Sequence, residues 1–157
     1  MSTELNTYLT FKVGNHFFGV DVSKVLEISE YKKPQPVPDS PAYMSGVVEF
    51  REQVIPLIDC GLKFNLPAID ITEVTCMVAL EVYNEELGKK FNAAIVVDAV
   101  SDVFEANNAE KLSMEDDFKP GYVLASYKTD KGLVIVLDAD KVFSDKDIIA
   151  IDAIMGR

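Results

Sequence analysis

The chain has 157 residues, the length of one domain that can bury a hydrophobic core without disulfides or a structural metal. Its formal net charge of -11 repels phosphate backbones and anionic lipid head groups, so nucleic acid and a bare membrane surface are poor partners. No run approaches the ~20 apolar residues of a membrane-spanning helix, and the N-terminus lacks the pattern of a signal peptide. We therefore expect a cytoplasmic protein with no direct membrane insertion.

The residues that usually hold metals or cofactors lack the spacing for it. Cys60 and Cys76 lie in apolar sequence, with no histidine or second cysteine at metal-ligand spacing, and are predicted to be free thiols. Phosphate loops, dinucleotide glycine patterns and Ser/His arrangements do not occur, and His16 lies near a predicted turn. We expect no metal and no cofactor.

Alternating and wholly apolar runs predict short strands along the chain. Residues 8–13 alternate, Gly14-Asn15 is a turn signal, and 17–20 are apolar again, which together predict a β-hairpin. Further strands are predicted at 25–28, 47–50, 54–58, 75–82, 93–97, 103–105, 123–127 and 133–137. Their spacing is typical of an all-β sandwich or barrel.

The connecting segments predict two helices. The proline-rich run 32–38 cannot lie inside a sheet, and Asp39-Ser40-Pro41 after it favours a short helix that Gly46 ends. Near the C-terminus, Ser144 can cap a helix over about 144–156. The apolar side chains of that helix are predicted on one side, where they would cover the end of a barrel: Ile148, Ile149, Ile151, Ile154 and Met155.

The second half of the chain repeats the first. At a shift of 79 residues, 43–46 aligns with 122–125, 54–59 aligns with 133–138 without a gap, and Phe64 falls on Phe143. Upstream, 22–27 matches 100–105 at a shift of 78. Because strands and turns agree in order over most of each half, we infer an internal duplication.

Each half is too small to bury more than a marginal core alone, so the two halves are expected to pack together. We predict an all-β protein of two packed five-stranded barrels around a shared core, with short helical connectors and a C-terminal helix. In this single domain over 1–157, the first barrel covers about 7–70 and the second about 72–143, with exchange of strands between them possible.

Several segments together resemble one known family. The run 46–59, Gly-Val-Val-Glu-Phe-Arg-Glu-Gln-Val-Ile-Pro-Leu-Ile-Asp, followed by Lys63-Phe64, resembles the most recognisable segment of CheW-like adaptor domains. Residues 8–28 resemble the opening hairpin of that family, and 95–103 resemble its second-half counterpart. The resemblance implies two SH3-like β-barrels and a non-enzymatic adaptor in bacterial chemotaxis. Its implied partners are the cytoplasmic tip of a chemoreceptor and the regulatory domain of a histidine kinase.

The resemblance also implies two contact surfaces. Receptor contact in the family involves an aliphatic and acidic stretch after the first hairpin, which carries over to Val22, Val25 and Glu27. All three have like counterparts in the second half: Val100 and Val103 strongly favour a core role for the two valines, and solvation alone could explain Glu27.

Gly46, Arg51, Val54 and Pro56 are the candidates for the kinase-binding or coupling surface. Arg51 is the strongest of them because its counterpart is Asp130, so the shared fold does not require an arginine there. An exposed arginine can bind a partner carboxylate in a bidentate manner, although a solvated turn residue is the alternative. Pro56 lacks a backbone donor and is expected on an edge strand suited to docking.

The sequence departs from the family pattern at the predicted tip. Glu52 replaces a glycine, Glu49 replaces an asparagine, and Cys60-Gly61 stands where a further arginine is common. Either the turn type changes or backbone strain is tolerated at Glu52. These departures predict a face that is more acidic than usual and a partner that differs or is more basic.

Two other functions are weighed against the adaptor. Asp59-Cys60-Gly61 and Asp138 give one aspartate per half, as in aspartic proteases, but turn capping explains both residues. The other alternative is a CheW-like scaffold in a different two-component pathway.

Overall fold

The computed structural model describes residues 7–112 and 120–156. The elements in chain order are β1 Thr7–Val13, β2 His16–Asp21, β3 Val25–Glu30, β4 Met44–Phe50, β5 Gln53–Asp59, α1 Cys60–Lys63, β6 Cys76–Asn84, β7 Lys89–Val97, β8 Ala99–Glu105, β9 Glu110–Leu112, β10 Val123–Thr129, β11 Gly132–Leu137 and α2 Asp145–Met155. Every predicted strand is present, and β9 is an addition that its short polar sequence did not indicate.

The strands form two sheets, so the predicted all-β class is confirmed. One sheet has six strands in the order β8-β1-β2-β11-β10-β9, and the other has five in the order β3-β6-β7-β5-β4. Each sheet takes one hairpin from the other half of the chain, since β1-β2 pairs with β8 and β11, and β6-β7 pairs with β3 and β5. The sheets therefore combine both halves, which is the exchange of strands that the repeat left open.

The duplication reappears in the details of pairing. Both sheets have one parallel pair at the same place, β5 with β7 and β11 with β2. The bulge between Met44 and Gly46 on β4 recurs between Val123 and Ala125 on β10. Even β9 has a counterpart, an isolated bridge between Gln35 and Val47, which corresponds to the pairing of Leu112 with Ser126 at shifts of 77 and 79 residues.

The predicted helix that begins near Pro41 and ends at Gly46 is wrong. Residues 42–43 form a turn and β4 already begins at Met44. The backbone groups of Val47 exchange two hydrogen bonds with Gln35, both 2.9 Å, and the Asp59 amide donates to the Tyr43 carbonyl at 2.7 Å. Sheet pairing on both sides of this segment therefore overrides its local helix signals.

One continuous core joins the two sheets. Phe11 of the six-stranded sheet and Leu57 of the five-stranded sheet both belong to it and are fully buried. Between the sheets, the ring of Phe64 stacks on Phe18 at 5.1 Å and contacts Tyr122 at 5.4 Å. Because neither half completes its own sheet or its own core, the two halves are one folding unit.

The C-terminal helix α2 lies on this core as predicted, with one exception. Ser144 caps it in a reciprocal capping box with Asp147, and Gly156 ends it in a left-handed conformation. Ile148 and Ile151 are buried, but Ile149 is 59% exposed, so its predicted place on the apolar side is wrong. At 100° per residue, Ile149 points away from the apolar stripe that contains Ile148 and Ile151.

Candidate functional site

The turn between β4 and β5 consists of Arg51 and Glu52. Phe50 pairs with Gln53, so the loop has two residues, and both have positive φ values, +48° and +66°. This is the geometry of a type I′ hairpin turn, which strongly favours Asn-Gly. A side chain in this left-handed region costs roughly 1 to 2 kcal/mol per residue. Of the two outcomes expected at Glu52, the structure has the second: the backbone is left-handed and the strain is tolerated.

The side chain of Arg51 is held against the edge strand β3. Its Nη2 donates to the Leu26 carbonyl at 3.1 Å and lies 3.7 Å from the Glu27 carboxylate, while the guanidinium lies 4.8 Å from the Phe50 ring centroid. Both partners of this ion pair remain about half exposed. The structure thus brings together Arg51 and Glu27, which were predicted for two different surfaces.

The second half ties its corresponding turn to its edge strand with other residues. The Lys131 ammonium lies 2.7 Å from the Asp102 carboxylate and donates to the Ser101 hydroxyl, also at 2.7 Å. Lys131 is the counterpart of Glu52, and Asp102 is the counterpart of Lys24. A turn held to an edge strand is therefore a feature of the duplicated fold, whereas building it from an arginine and a glutamate is particular to the first half.

Val22 and Val25 lie before this contact along the chain. Val22 begins a short 3₁₀ turn that Asp21 caps, and its side chain is partly exposed. Val25 begins β3 and is half-buried against the shared core. Val22 is thus available to a partner, while Val25 contributes mainly to packing.

Gly46 and Pro56 occupy interior positions. Gly46 has a φ of +147°, and a Cβ added there would lie 2.3 Å from the Gln35 carbonyl oxygen. Pro56 is buried on β5, which lies between β7 and β4, so the predicted edge position is wrong. A buried residue cannot contact a partner directly, so Gly46 and Pro56 can affect a partner only through the backbone that they shape.

Proline is tolerated inside the sheet because its nitrogen faces a stretch where β5 and β7 form no backbone hydrogen bonds. The backbone N–H and C=O of Val47, which lies opposite Pro56, are both hydrogen-bonded to Gln35. Val47 and Pro56 therefore form a non-hydrogen-bonded pair. The nitrogen of Pro56 therefore faces β7, where the parallel ladder begins only at Leu57. In the other sheet the equivalent ladder extends two residues further, through Ile135 to Val134.

A groove of about 750 Å³ opens where this ladder stops. Ile55 and Phe91 line it together with Ile154 and Met155 from the end of α2. Val54, 56% exposed, also lines this groove, whereas Arg51 and Glu27 line a smaller depression on the five-stranded sheet. Val54 and Arg51 are neighbours in sequence that belong to different surfaces.

A polar contact between the two halves was missed by the sequence reasoning. Both oxygens of Asp140 accept from the Lys24 ammonium, at 3.0 and 2.8 Å, and Oδ1 also accepts from the Tyr83 amide at 2.8 Å. The counterpart of Asp140 is Gly61, so the comparison of halves that singled out Arg51 would have selected Asp140 as well.

The start of α2 is fixed by a charged cluster around Asp147. Its carboxylate accepts from the Tyr43 hydroxyl at 2.7 Å and from the Ser144 amide at 3.0 Å, and lies 3.4 Å from the Lys63 ammonium. Burial alone would raise the pKa of Asp147, but the bonds from Tyr43 and Ser144 and the charge of Lys63 outweigh it and lower the pKa. Burial and the bond to Asp147 raise the pKa of Tyr43.

The two aspartates of the protease alternative cap turns. The carboxylate of Asp59 accepts from the amides of Leu62 and Ile69, each at 3.1 Å, and that of Asp138 accepts from the Asp140 amide at 3.0 Å. Burial and the charge of Asp59 raise the pKa of the Cys60 thiol, which keeps it protonated. Within residues 7–112 and 120–156, no group of three or more His, Cys, Asp or Glu side chains is arranged to hold a metal ion.

Of the departures from the family pattern, Glu49 and Glu52 are exposed and Cys60-Gly61 is buried. A Cβ at Gly61 would lie 2.0 Å from the Pro67 carbonyl oxygen, so an arginine cannot occupy this position without moving the loop after α1. The exposed face therefore differs by the two added glutamates.

Comparisons with known proteins agree with this architecture. The family model for the CheW-like domain matches residues 7–147. A chemotaxis protein CheW from Klebsiella aerogenes is 30% identical over 151 residues, covering 92% of this chain and 86% of the relative. The CheW of Bacillus subtilis is 27% identical over 153 residues and covers 94% of both chains.

A solved structure has the same fold. The scaffolding protein TtCheW from Thermoanaerobacter tengcongensis superposes with a TM-score of 0.73 at 22% sequence identity, covering 90% of this chain and 94% of the other. Among the helices that the structure describes, none has the length and apolar character needed to cross a membrane.

Proposed function

The chain belongs to the CheW-like domain family, and from this premise we propose that it is a non-enzymatic adaptor coupling chemoreceptors to a histidine kinase in the cytoplasm. The single observation that carries the proposal is the half-exposed pair of Arg51 and Glu27, which joins a hairpin tip to an edge strand. An adaptor needs stable surfaces on a rigid body, and a duplicated double sheet whose main core is shared by both halves supplies that body.

Two neighbouring elements suit the two expected partners. Edge strand β3, which carries Glu27 and follows Val22, is the candidate surface for the helical tip of a chemoreceptor. The tip at Arg51 is the candidate for the regulatory domain of the kinase, with exposed Val54 on the other side of the same hairpin. Because Arg51 contacts β3 directly, a partner on one surface can influence the other through this ion pair.

The second candidate is a CheW-like scaffold that serves a different two-component pathway. The observation that favours it is the pair of exposed glutamates, Glu49 and Glu52, which changes the charge of the coupling face. Asp59 and Asp138 each accept a hydrogen bond from a backbone amide of their own turn, which disfavours the protease alternative.

A binding experiment separates the two candidates. The purified chain is tested by calorimetry or surface plasmon resonance against the cytoplasmic fragment of a chemoreceptor and the regulatory domain of each histidine kinase of the host. Binding to both is expected. The chemotaxis assignment fails if neither binds, while a different kinase regulatory domain as the only partner supports the alternative pathway.

A further inference from the structure

Glu52 combines three properties that the fold does not explain. It has a left-handed backbone, with a φ of +66°, at a position where glycine would be relaxed. Its side chain is exposed at the tip of the β4–β5 hairpin. Among the residues that the structure describes, its carboxylate has no hydrogen bond or ion pair. No contact of the Glu52 side chain with the described residues therefore offsets the strain in its backbone.

The other charges at the tip show which partner chemistry this carboxylate suits. Arg51 contacts the Leu26 carbonyl and Glu27, so its charge is partly offset by Glu27 while the side chain remains about half exposed. Glu52 and the exposed Glu49, two residues before Arg51 on β4, have no such partner among the described residues. An approaching surface therefore meets two exposed carboxylates that form no hydrogen bond or ion pair with the described residues.

We propose that Glu52 is a specificity-determining residue of the interface with the kinase regulatory domain and that this domain carries a lysine or arginine opposite it. This inference rests on the proposed adaptor function and adds the charge of the partner to it. Complementary charges at the rim of an interface raise the association rate and suppress binding to wrong partners. A strained backbone that persists without an internal contact is typical of residues retained for function.

The test compares Glu52→Gly, Glu52→Gln and a matched control, Glu73→Gln, which removes an exposed glutamate from the loop before β6. The probes are the purified regulatory domain of the host's histidine kinase and the cytoplasmic fragment of a chemoreceptor. Both Glu52 variants are expected to bind the kinase regulatory domain about 2- to 5-fold more weakly at low salt and to bind the receptor fragment like the unmodified protein. The difference should shrink as salt is raised, and Glu73→Gln should bind like the unmodified protein.

The melting temperatures of the two variants provide a second, independent test. Glu52→Gly should melt about 2 to 4 °C above the unmodified protein, because glycine relieves the left-handed backbone, while Glu52→Gln should not. If both variants keep full affinity for the kinase regulatory domain at low salt, or if Glu52→Gly melts lower, the inference is overturned. If the unmodified protein binds neither probe, the adaptor function itself fails and the inference falls with it.

Discussion

Arg51 illustrates how a residue can be both part of the fold and a candidate for function. Its bond to the Leu26 carbonyl stabilises the turn, but the second half achieves the same attachment with Lys131 and Asp102. Stability therefore requires a side-chain contact between the turn and the edge strand, but this contact does not have to come from an arginine. What the arginine adds is a planar group that can bind a carboxylate in a bidentate manner while its side chain remains about half exposed.

Replacing Arg51 by alanine should separate these two roles. Because the ion pair is half exposed, Arg51→Ala should lower the free energy of unfolding by less than about 1 kcal/mol. Its affinity for the kinase regulatory domain should fall about tenfold, as for a central interface arginine. Lys131→Ala is the matched control, which should lose similar stability in chemical denaturation but keep its affinity. A large loss of stability in Arg51→Ala would show that the residue is chiefly structural.

Gly46 is a candidate site residue whose effect should appear in stability first. An added Cβ would lie 2.3 Å from the Gln35 carbonyl oxygen, and the φ of +147° is unfavourable for other residues. Gly46→Ala should therefore lower the free energy of unfolding by at least about 2 kcal/mol, measured by urea denaturation. The reverse change at its counterpart in the second half, Ala125→Gly, should cost only about 1 kcal/mol. Equal effects of the two changes would contradict this account of the bulge.

At the scale of single elements, the strands were predictable and the connections were less so. Alternating apolar residues were sufficient for β1, β2 and the later strands, because burial of one face determines the register. The helix expected before Gly46 does not form, because Gln35 pairs with Val47, a contact that no local pattern reveals. Pro56 was placed on an edge for lack of a donor, but a gap between β5 and β7 serves the same need.

The attachment of α2 should depend on pH through Asp147. Its pKa is lowered in the folded protein, so it contributes stability above its unfolded pKa of about 3.9, and this stability is lost as the pH falls through the folded value. Above about pH 5, Asp147→Asn should be less stable by roughly 1 to 3 kcal/mol, because Tyr43 and Lys63 lose a charged partner. The difference should contract toward pH 3 in thermal melts.

Asp130 provides the control for that experiment. Its carboxyl is exposed on the turn between β10 and β11, so Asp130→Asn should change the free energy of unfolding by no more than about 0.5 kcal/mol. A difference between Asp147→Asn and the unmodified protein that stays constant from pH 7 to pH 3 would mean that packing, and not charge, fixes the start of α2.

At the scale of the whole molecule, the sequence repeat predicted two similar units with a shared core, and the pairing of strands shows how that core is shared. The shift of 79 residues between the halves is visible in the bulges on β4 and β10. Which half a hairpin joins was not predictable, because β1-β2 and β6-β7 are equivalent by duplication and present similar apolar faces. Local sequence cannot distinguish pairing within a half from pairing between halves.

Exchange of hairpins predicts that neither half folds alone. A fragment of residues 1–72 lacks β6 and β7, which separate β3 from β5 in the five-stranded sheet, and a fragment of 73–157 lacks β1 and β2, which separate β8 from β11. Each fragment should show no cooperative thermal transition and weak near-ultraviolet circular dichroism, because its sheet would be interrupted and its core exposed. Mixed in equal amounts, the two should form a 1:1 complex that melts cooperatively and regains the affinity of the intact chain for its partners. A cooperative transition in either isolated fragment would show that a half can complete its own sheet, and would place the stability of the molecule within the halves and not in their exchanged hairpins.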